Sequence, residues 1–184
     1  MNLFFKYLVA IALLTTNVFA HSYALKPQDV DPLLAPYFEI QMGLAKDKLD
    51  VAQKATTHLK DVLTKGPSEE EAPVIRTLLN ITDKLSESTD IQRARQHFHV
   101  LSQEMILVVE HVGTANTTAY QMRCTMAFDH TGASWLQAND ALINPFWGAR
   151  MLRCGHEVTI YAPKQGGTRR RKEPKSRNEP REFC

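Results

Sequence analysis

From Ile91 to Val112 the apolar residues Ile91, Ala94, Phe98, Leu101, Met105, Val108 and Val112 recur in steps of three and four without a break. No other stretch restricts the fold as tightly. It is the a/d seam of a long amphipathic helix, which must bury its stripe against partner elements. Thr89-Asp90-Ile91-Gln92 reads as a capping box ahead of it, and Gly113 stops it. A second stripe runs through Tyr37, Ile40, Leu44, Val51, Ala55, Leu59 and Val62, with one polar gap at Lys48, and ends at Gly66-Pro67-Ser68. Glu69, Glu70, Glu71 and Pro73 suit the first turn of a shorter third helix carrying Val74, Ile75, Leu78, Leu79, Thr82 and Leu85. Three such helices with short joins predict a mainly α fold, an antiparallel helical bundle.

After Gly113 the period changes. Tyr120, Met122, Cys124, Met126 and Phe128 alternate with polar or small residues, which predicts a strand with Met122, Cys124 and Met126 on one face. Asp129-His130-Thr131-Gly132 is a turn, and Ala133–Gln137 a short irregular or helical piece. Asn144-Pro145 has the form of an N-cap and first helical position, predicting a short helix to Cys154 capped by Gly155. On such a helix Trp147, Met151 and Cys154 share a face. Val158 and Ile160 suggest a final strand.

The ends of the chain are of another kind. Lys6, the apolar run Tyr7–Leu14 and Val18-Phe19-Ala20 match a secretory signal peptide over residues 1–20. The run is shorter than the roughly 20 apolar residues a membrane span needs, and no later stretch supplies one. The expected address is therefore the periplasm. Residues 21–35 read as an extended leader, in which Pro27, Pro32 and Pro36 oppose helix. Residues 36–162 form one helical-bundle domain with a small Cys/Met-rich C-terminal unit. Residues 163–184 form a disordered basic tail opened by Thr168-Arg169-Arg170-Arg171-Lys172. The chain carries a formal charge of +2, from which Lys6 leaves with the signal peptide, so nothing favours nucleic acid in bulk.

Two soft-donor groups carry the available chemistry: Met122-x-Cys124-x-Met126 and Met151-x-x-Cys154-x-His156. Thiolates and thioethers suit Cu(I) and Ag(I), whereas zinc prefers four Cys or His ligands. The expected metal ligands are Cys124, Met126, Met151 and Cys154, with Met122 and His156 as additional candidates, and with Trp135 or Trp147 walling the site from water. The competing reading is a Cys124–Cys154 disulfide, which export permits. Closing that loop would contribute roughly 3–4 kcal/mol. Cys184 would then be left over. No constellation of nucleophile, base and orienting group points to an enzyme.

Cys124-x-Met126-Ala127, Ala133-x-Trp135-Leu136-Gln137, Asn144-Pro145-Phe146-x-Gly148 and Met151-x-x-Cys154-Gly155 together resemble an uncharacterised exported bacterial domain. Tyr37-Phe38-x-Ile40-Gln41 and Asp90-Ile91…Ala94-Arg95…Phe98…Leu101-Ser102 look like its helical half. The domain also occurs at the C-terminal end of periplasmic adaptors of copper/silver-type heavy-metal efflux pumps. The resemblance spans roughly residues 36–158, with Thr125 where a proline is expected and Phe146 where a tyrosine is. It implies metal handling, with Cys124, Met126, Met151 and Cys154 as the metal-competent positions and an efflux system or another envelope protein as partner.

Overall fold

The computed structural model describes residues 25–70 and 72–163. The expected signal peptide, the start of the leader and the tail from residue 164 onward, Cys184 included, lie outside the described residues. Four long helices and a small antiparallel sheet make up the fold: α1 (Pro27–Ala45), α2 (Leu49–Lys65), α3 (Pro73–Ser86), α4 (Ile91–Val112), β1 (Ala119–Cys124), a single helical turn at Ala127–His130, β2 (Ala133–Gln137), a 3-10 turn at Gly148–Arg150 and β3 (His156–Tyr161). No helix among the described residues is long and apolar enough to cross a membrane.

The leader is the first correction. Helix begins at Pro27 and runs through Pro32 and Pro36. Pro27 sits in the first turn, where a missing N–H costs nothing, and Asp29 reaches back to the Lys26 backbone N–H at 2.8 Å. Pro32 and Pro36 cannot donate to the carbonyls of Gln28 and Pro32, a penalty of about 3 kcal/mol or more in a free helix. Packing outweighs it. Val30, Leu34, Tyr37, Ile40 and Leu44 are fully buried, and each such side chain contributes about 1.5–3 kcal/mol.

The second correction concerns Lys48. The single stripe Tyr37–Val62 is two helices, not one, so the fold has four long helices where three are expected. The polar gap is the corner itself. Asp47 takes a left-handed φ of 57°, a conformation Asp tolerates better than most residues, and Lys48 N–H closes the turn onto Gly43 O at 2.9 Å. Gly43 makes the corner tight: a Cβ there would lie 2.8 Å from Ala52 N. The helices pack in sequence order, α1 on α2, α2 on α3 and α3 on α4, and α4 closes back on α1.

Asp90, one residue after the expected Thr89, is the N-cap of α4. Its carboxylate accepts from Gln92 N–H and Arg93 N–H at 3.0 and 2.9 Å. Gly113, with φ 85°, ends the helix as expected. In the sheet β1 is central and pairs antiparallel with β2 and β3, in the order β2-β1-β3. Ala133–Gln137 is therefore a strand, contrary to the irregular or helical piece expected. It is buried almost throughout, so it lacks the alternation that marks a half-exposed strand. β2 lies on α4, while β3 is an edge strand with Val158 and Ile160 exposed.

Candidate functional site

The segment from Ala138 to Gly155 wraps the sheet with little regular structure, so side chains hold it. Gln137, buried on β2, accepts from Trp135 Nε1 and Ile143 N–H and donates to Asn139 O and Ala141 O. Gln41 on α1 donates to Ile143 O at 2.7 Å. Asn144, fully buried, accepts from Phe146 N–H at 2.8 Å and Trp147 N–H at 3.3 Å, and donates to Cys154 O at 2.7 Å. The Asn144-Pro145 cap is real, but the helix expected behind it is not. Gly148 turns left-handed at φ 61°, and a Cβ there would collide with Asp47 Oδ1 and Arg95 Nη2, so only one 3-10 turn forms. Trp147, Met151 and Cys154 consequently do not share a helical face. Trp147 carries the Arg150 guanidinium 5.0 Å from its ring centroid.

Two buried polar groups tie this wrap to the helices. Tyr37 hydroxyl lies 2.7 Å from Ser102 Oγ and accepts from Leu136 N–H at 3.1 Å, joining α1, α4 and β2. Complete burial holds its phenol well above the usual range, so it stays neutral. Arg95, 4% exposed, donates to Pro145 O, Leu44 O and Asp47 Oδ1. Asp47 also accepts from Ala149 N–H at 2.9 Å. That backbone bond, with Arg95 beside it, pulls the Asp47 carboxyl below its ordinary value despite some burial.

These ties bring two sulfurs together. Cys124 Sγ, at the end of β1, lies 3.1 Å from Cys154 Sγ, and the residues are 0% and 2% exposed. A disulfide bond is about 2.05 Å long, so the pair is in contact but not bonded. Cys124 is a free cysteine, and Cys154 is disulfide-bonded. Met122, 1% exposed, shares the Cys124 face of β1; Trp135 and Ala133 stand opposite them on β2. Ala133 leaves the cysteine room, and Gly155 brings Trp135 close: a Cβ on that glycine would touch the indole at 3.3 Å. Trp135 thus packs beside Gly155, the residue after Cys154.

The remaining expected ligands are placed differently. Met126 is not on the strand face with Met122 and Cys124. The strand ends at Cys124, and Met126 sits in the following turn with αR backbone. Met126 and Met151 are half-buried against the core. His156 pairs across the sheet with Arg123, on the face opposite Cys124. No group of three or more His, Cys, Asp or Glu able to hold a metal occurs among the described residues. The donors that the structure brings into contact are the Cys124 and Cys154 sulfurs.

The turn expected at Asp129-His130-Thr131-Gly132 begins earlier, at Ala127. Phe128, Asp129 and His130 take consecutive left-handed φ values of 50°, 54° and 67°. Such a conformation costs roughly 1–2 kcal/mol per residue. Phe128 is held there by its ring, 5.0 Å from His99 and 5.4 Å from Phe146. His99 Nδ1 is buried with no hydrogen-bond partner among the described residues, and burial lowers its pKa.

Residues 33–117 match a family described as a protein of unknown function (DUF3347). The matched stretch covers α1 from Leu33 through α4 and stops before β1, so the sulfur pair lies beyond it. No curated protein and no solved structure matches the chain.

Proposed function

We propose that this chain is an exported, periplasmic, non-enzymatic protein that binds a soft monovalent metal, Cu(I) or Ag(I). In this reading a helical bundle carries the sulfur unit, and the protein serves a heavy-metal efflux or resistance system. The observation that carries the reading is the buried Cys124–Cys154 sulfur contact of 3.1 Å. In the reduced chain these two sulfurs are the thiolate ligands. A metal between them needs roughly 2.3 Å to each sulfur, the length of a metal–thiolate bond. The pair therefore parts by about 1–1.5 Å on binding, the larger value for a linear arrangement. Met122 on the same strand face supplies the nearest thioether by position, Met126 and Met151 flank the unit, and Trp135 keeps water out. Thiols must lose their protons to bind, so affinity falls as pH falls. The reduced chain is expected to take up one Cu(I) per molecule against a colorimetric Cu(I) chelator, and Ser at Cys124 or Cys154 to abolish uptake. Uptake unchanged in both variants would end the proposal.

A second reading rests on the same contact. Closing 3.1 Å to a bond would staple β1 to the 144–154 segment, making a disulfide-stapled envelope interaction module that uses no metal. It predicts a Cys124–Cys154 linkage that persists under mild reductant and no chelator-resistant Cu(I). Free thiols at both positions after mild reduction would exclude it.

A further inference from the structure

Cys124 and Cys154 are 0% and 2% exposed, so a solute that reaches the pair must first open the fold. Two irregular segments flank the pair. One is the wrap from Ala138 to Gly155, which carries Cys154. The other is the 125–132 loop, which joins Cys124 to Ala133, the last rung of the β1–β2 ladder. We propose that the 125–132 loop is a gate over Cys124, hinged at Gly132 and latched by Phe128, that admits small thiophilic solutes. The gate concerns access to the thiol and does not rest on the metal reading.

The two segments are held differently. The wrap is tied to the helical half by hydrogen bonds from Gln41 to Ile143 O, from Arg95 to Pro145 O and from Ala149 N–H to Asp47. Among the described residues, the hydrogen bonds of the loop stay inside it. Thr131 N–H and its hydroxyl both donate to Phe128 O, at 3.1 and 2.8 Å, and Gly132 N–H donates to Ala127 O at 2.9 Å. The loop can therefore lift as one body without breaking a hydrogen bond to the helices, whereas the wrap cannot.

Its backbone favours lifting. The left-handed φ values of Phe128, Asp129 and His130 cost free energy that opening releases. Gly132, with φ 79°, is the residue type that changes φ most freely. What opposes opening is apolar: Ala127 is buried, and the Phe128 ring lies 5.0 Å from His99 and 5.4 Å from Phe146. Segments held by few buried contacts open locally, below the free energy of global unfolding. Cys124 stands on the terminal rung, so lifting the loop frays that rung and uncovers the sulfur.

The test is the rate at which iodoacetamide alkylates Cys124 in the full, reduced, metal-free chain, read by peptide mass spectrometry across a series of sub-denaturing urea concentrations. The gate predicts a rate that rises only shallowly with urea, because little surface is exposed. Phe128→Ala should speed alkylation by about tenfold or more through the lost latch. His130→Gly should slow it by up to about fivefold by relieving the strain of the closed loop. Gln41→Ala, which loosens the wrap instead, should change it by less than about twofold at low urea. A wild-type rate that climbs with urea as steeply as global unfolding overturns the gate. So does a Gln41→Ala rate that rises as much as that of Phe128→Ala. Where Phe128→Ala does not fold, the wild-type urea slope and the direction of the His130→Gly effect decide, and faster alkylation in His130→Gly overturns the proposal.

Discussion

Asn144 Nδ2 donates to the backbone carbonyl of Cys154 at 2.7 Å, and the Asn144 backbone N–H donates to Leu152 O at 2.8 Å. One buried residue thereby closes the wrap from 144 to 154 and sets where the Cys154 sulfur stands. Asn144→Ala leaves the Cys154 carbonyl and Phe146 N–H buried and unpaired, a cost of about 1–3 kcal/mol for each group so orphaned. Asn144→Asp keeps the acceptor for Phe146 and Trp147 but sets a carboxyl oxygen against the Cys154 carbonyl, which only the protonated acid can satisfy. Urea unfolding should place both variants below wild type, with Asn144→Asp losing further stability as pH rises.

Arg95 should matter more. It is buried with three acceptors, and Arg95→Met takes the guanidinium from two carbonyls and from Asp47, which keeps its bond to Ala149 N–H. Removing one partner of a buried ion pair typically costs about 3–5 kcal/mol. The figure belongs at the low end here, because the Asp47 side chain is 43% exposed. Arg95→Lys should rescue little, since one ammonium cannot reproduce the guanidinium fork. Thermal unfolding of the two variants checks both statements.

Stability should depend on pH in two windows. The Asp47 carboxyl has a depressed pKa in the folded chain. Its contribution is therefore complete above the unfolded value of about 3.9 and is lost as pH falls through the lower folded value. Buried His99 also has a depressed pKa, but as a base. The unfolded chain takes up that proton from about pH 6.5 downward, so stability falls from there until the folded form protonates as well. His97 acts in the same direction, through burial first and Lys84 second. Denaturant midpoints measured from about pH 7.5 to about pH 3 should show a shallow loss below about 6.5 and a second below about 4. His99→Gln should flatten the first, and Asp47→Asn the second.

The left-handed turn after Met126 carries strain that a glycine relieves. His130 is exposed with φ 67°, and His130→Gly should raise stability by up to about 1 kcal/mol. A lowered melting temperature in this variant would show that the His130 ring makes a contact worth more than the strain.

The helical half is largely legible in the sequence because its signals are local. The a/d seam of α4, its Gly113 stop and the start of α3 at Pro73 all depend on neighbours along the chain. The misreadings have tertiary causes. Lys48 reads as a flaw in one helix because a corner that keeps the apolar stripe in phase leaves only a polar gap. Pro32 and Pro36 read as helix breakers because the burial of Tyr37 and Leu34 that overrides them is invisible in the sequence. Cys124 and Cys154 are legible as a pair, since the alternation of β1 turns Cys124 inward. Met126 and Trp147 are misplaced because β1 ends two residues early and Gly148 turns left-handed to make room for Arg95 and Asp47. Sheet order, which puts His156 on the far face, has no local signature at all.

The central claim is that Cys124 and Cys154 together hold a soft metal, and native mass spectrometry of the fully reduced chain tests it most directly. With Cu(I) added under anaerobic conditions, the spectrum should shift by the mass of one copper. The shift should vanish in Cys124→Ser and in Cys154→Ser and persist in Cys184→Ser. A reduced, folded chain that stays at its metal-free mass, or a copper adduct that survives both Cys124→Ser and Cys154→Ser, contradicts it.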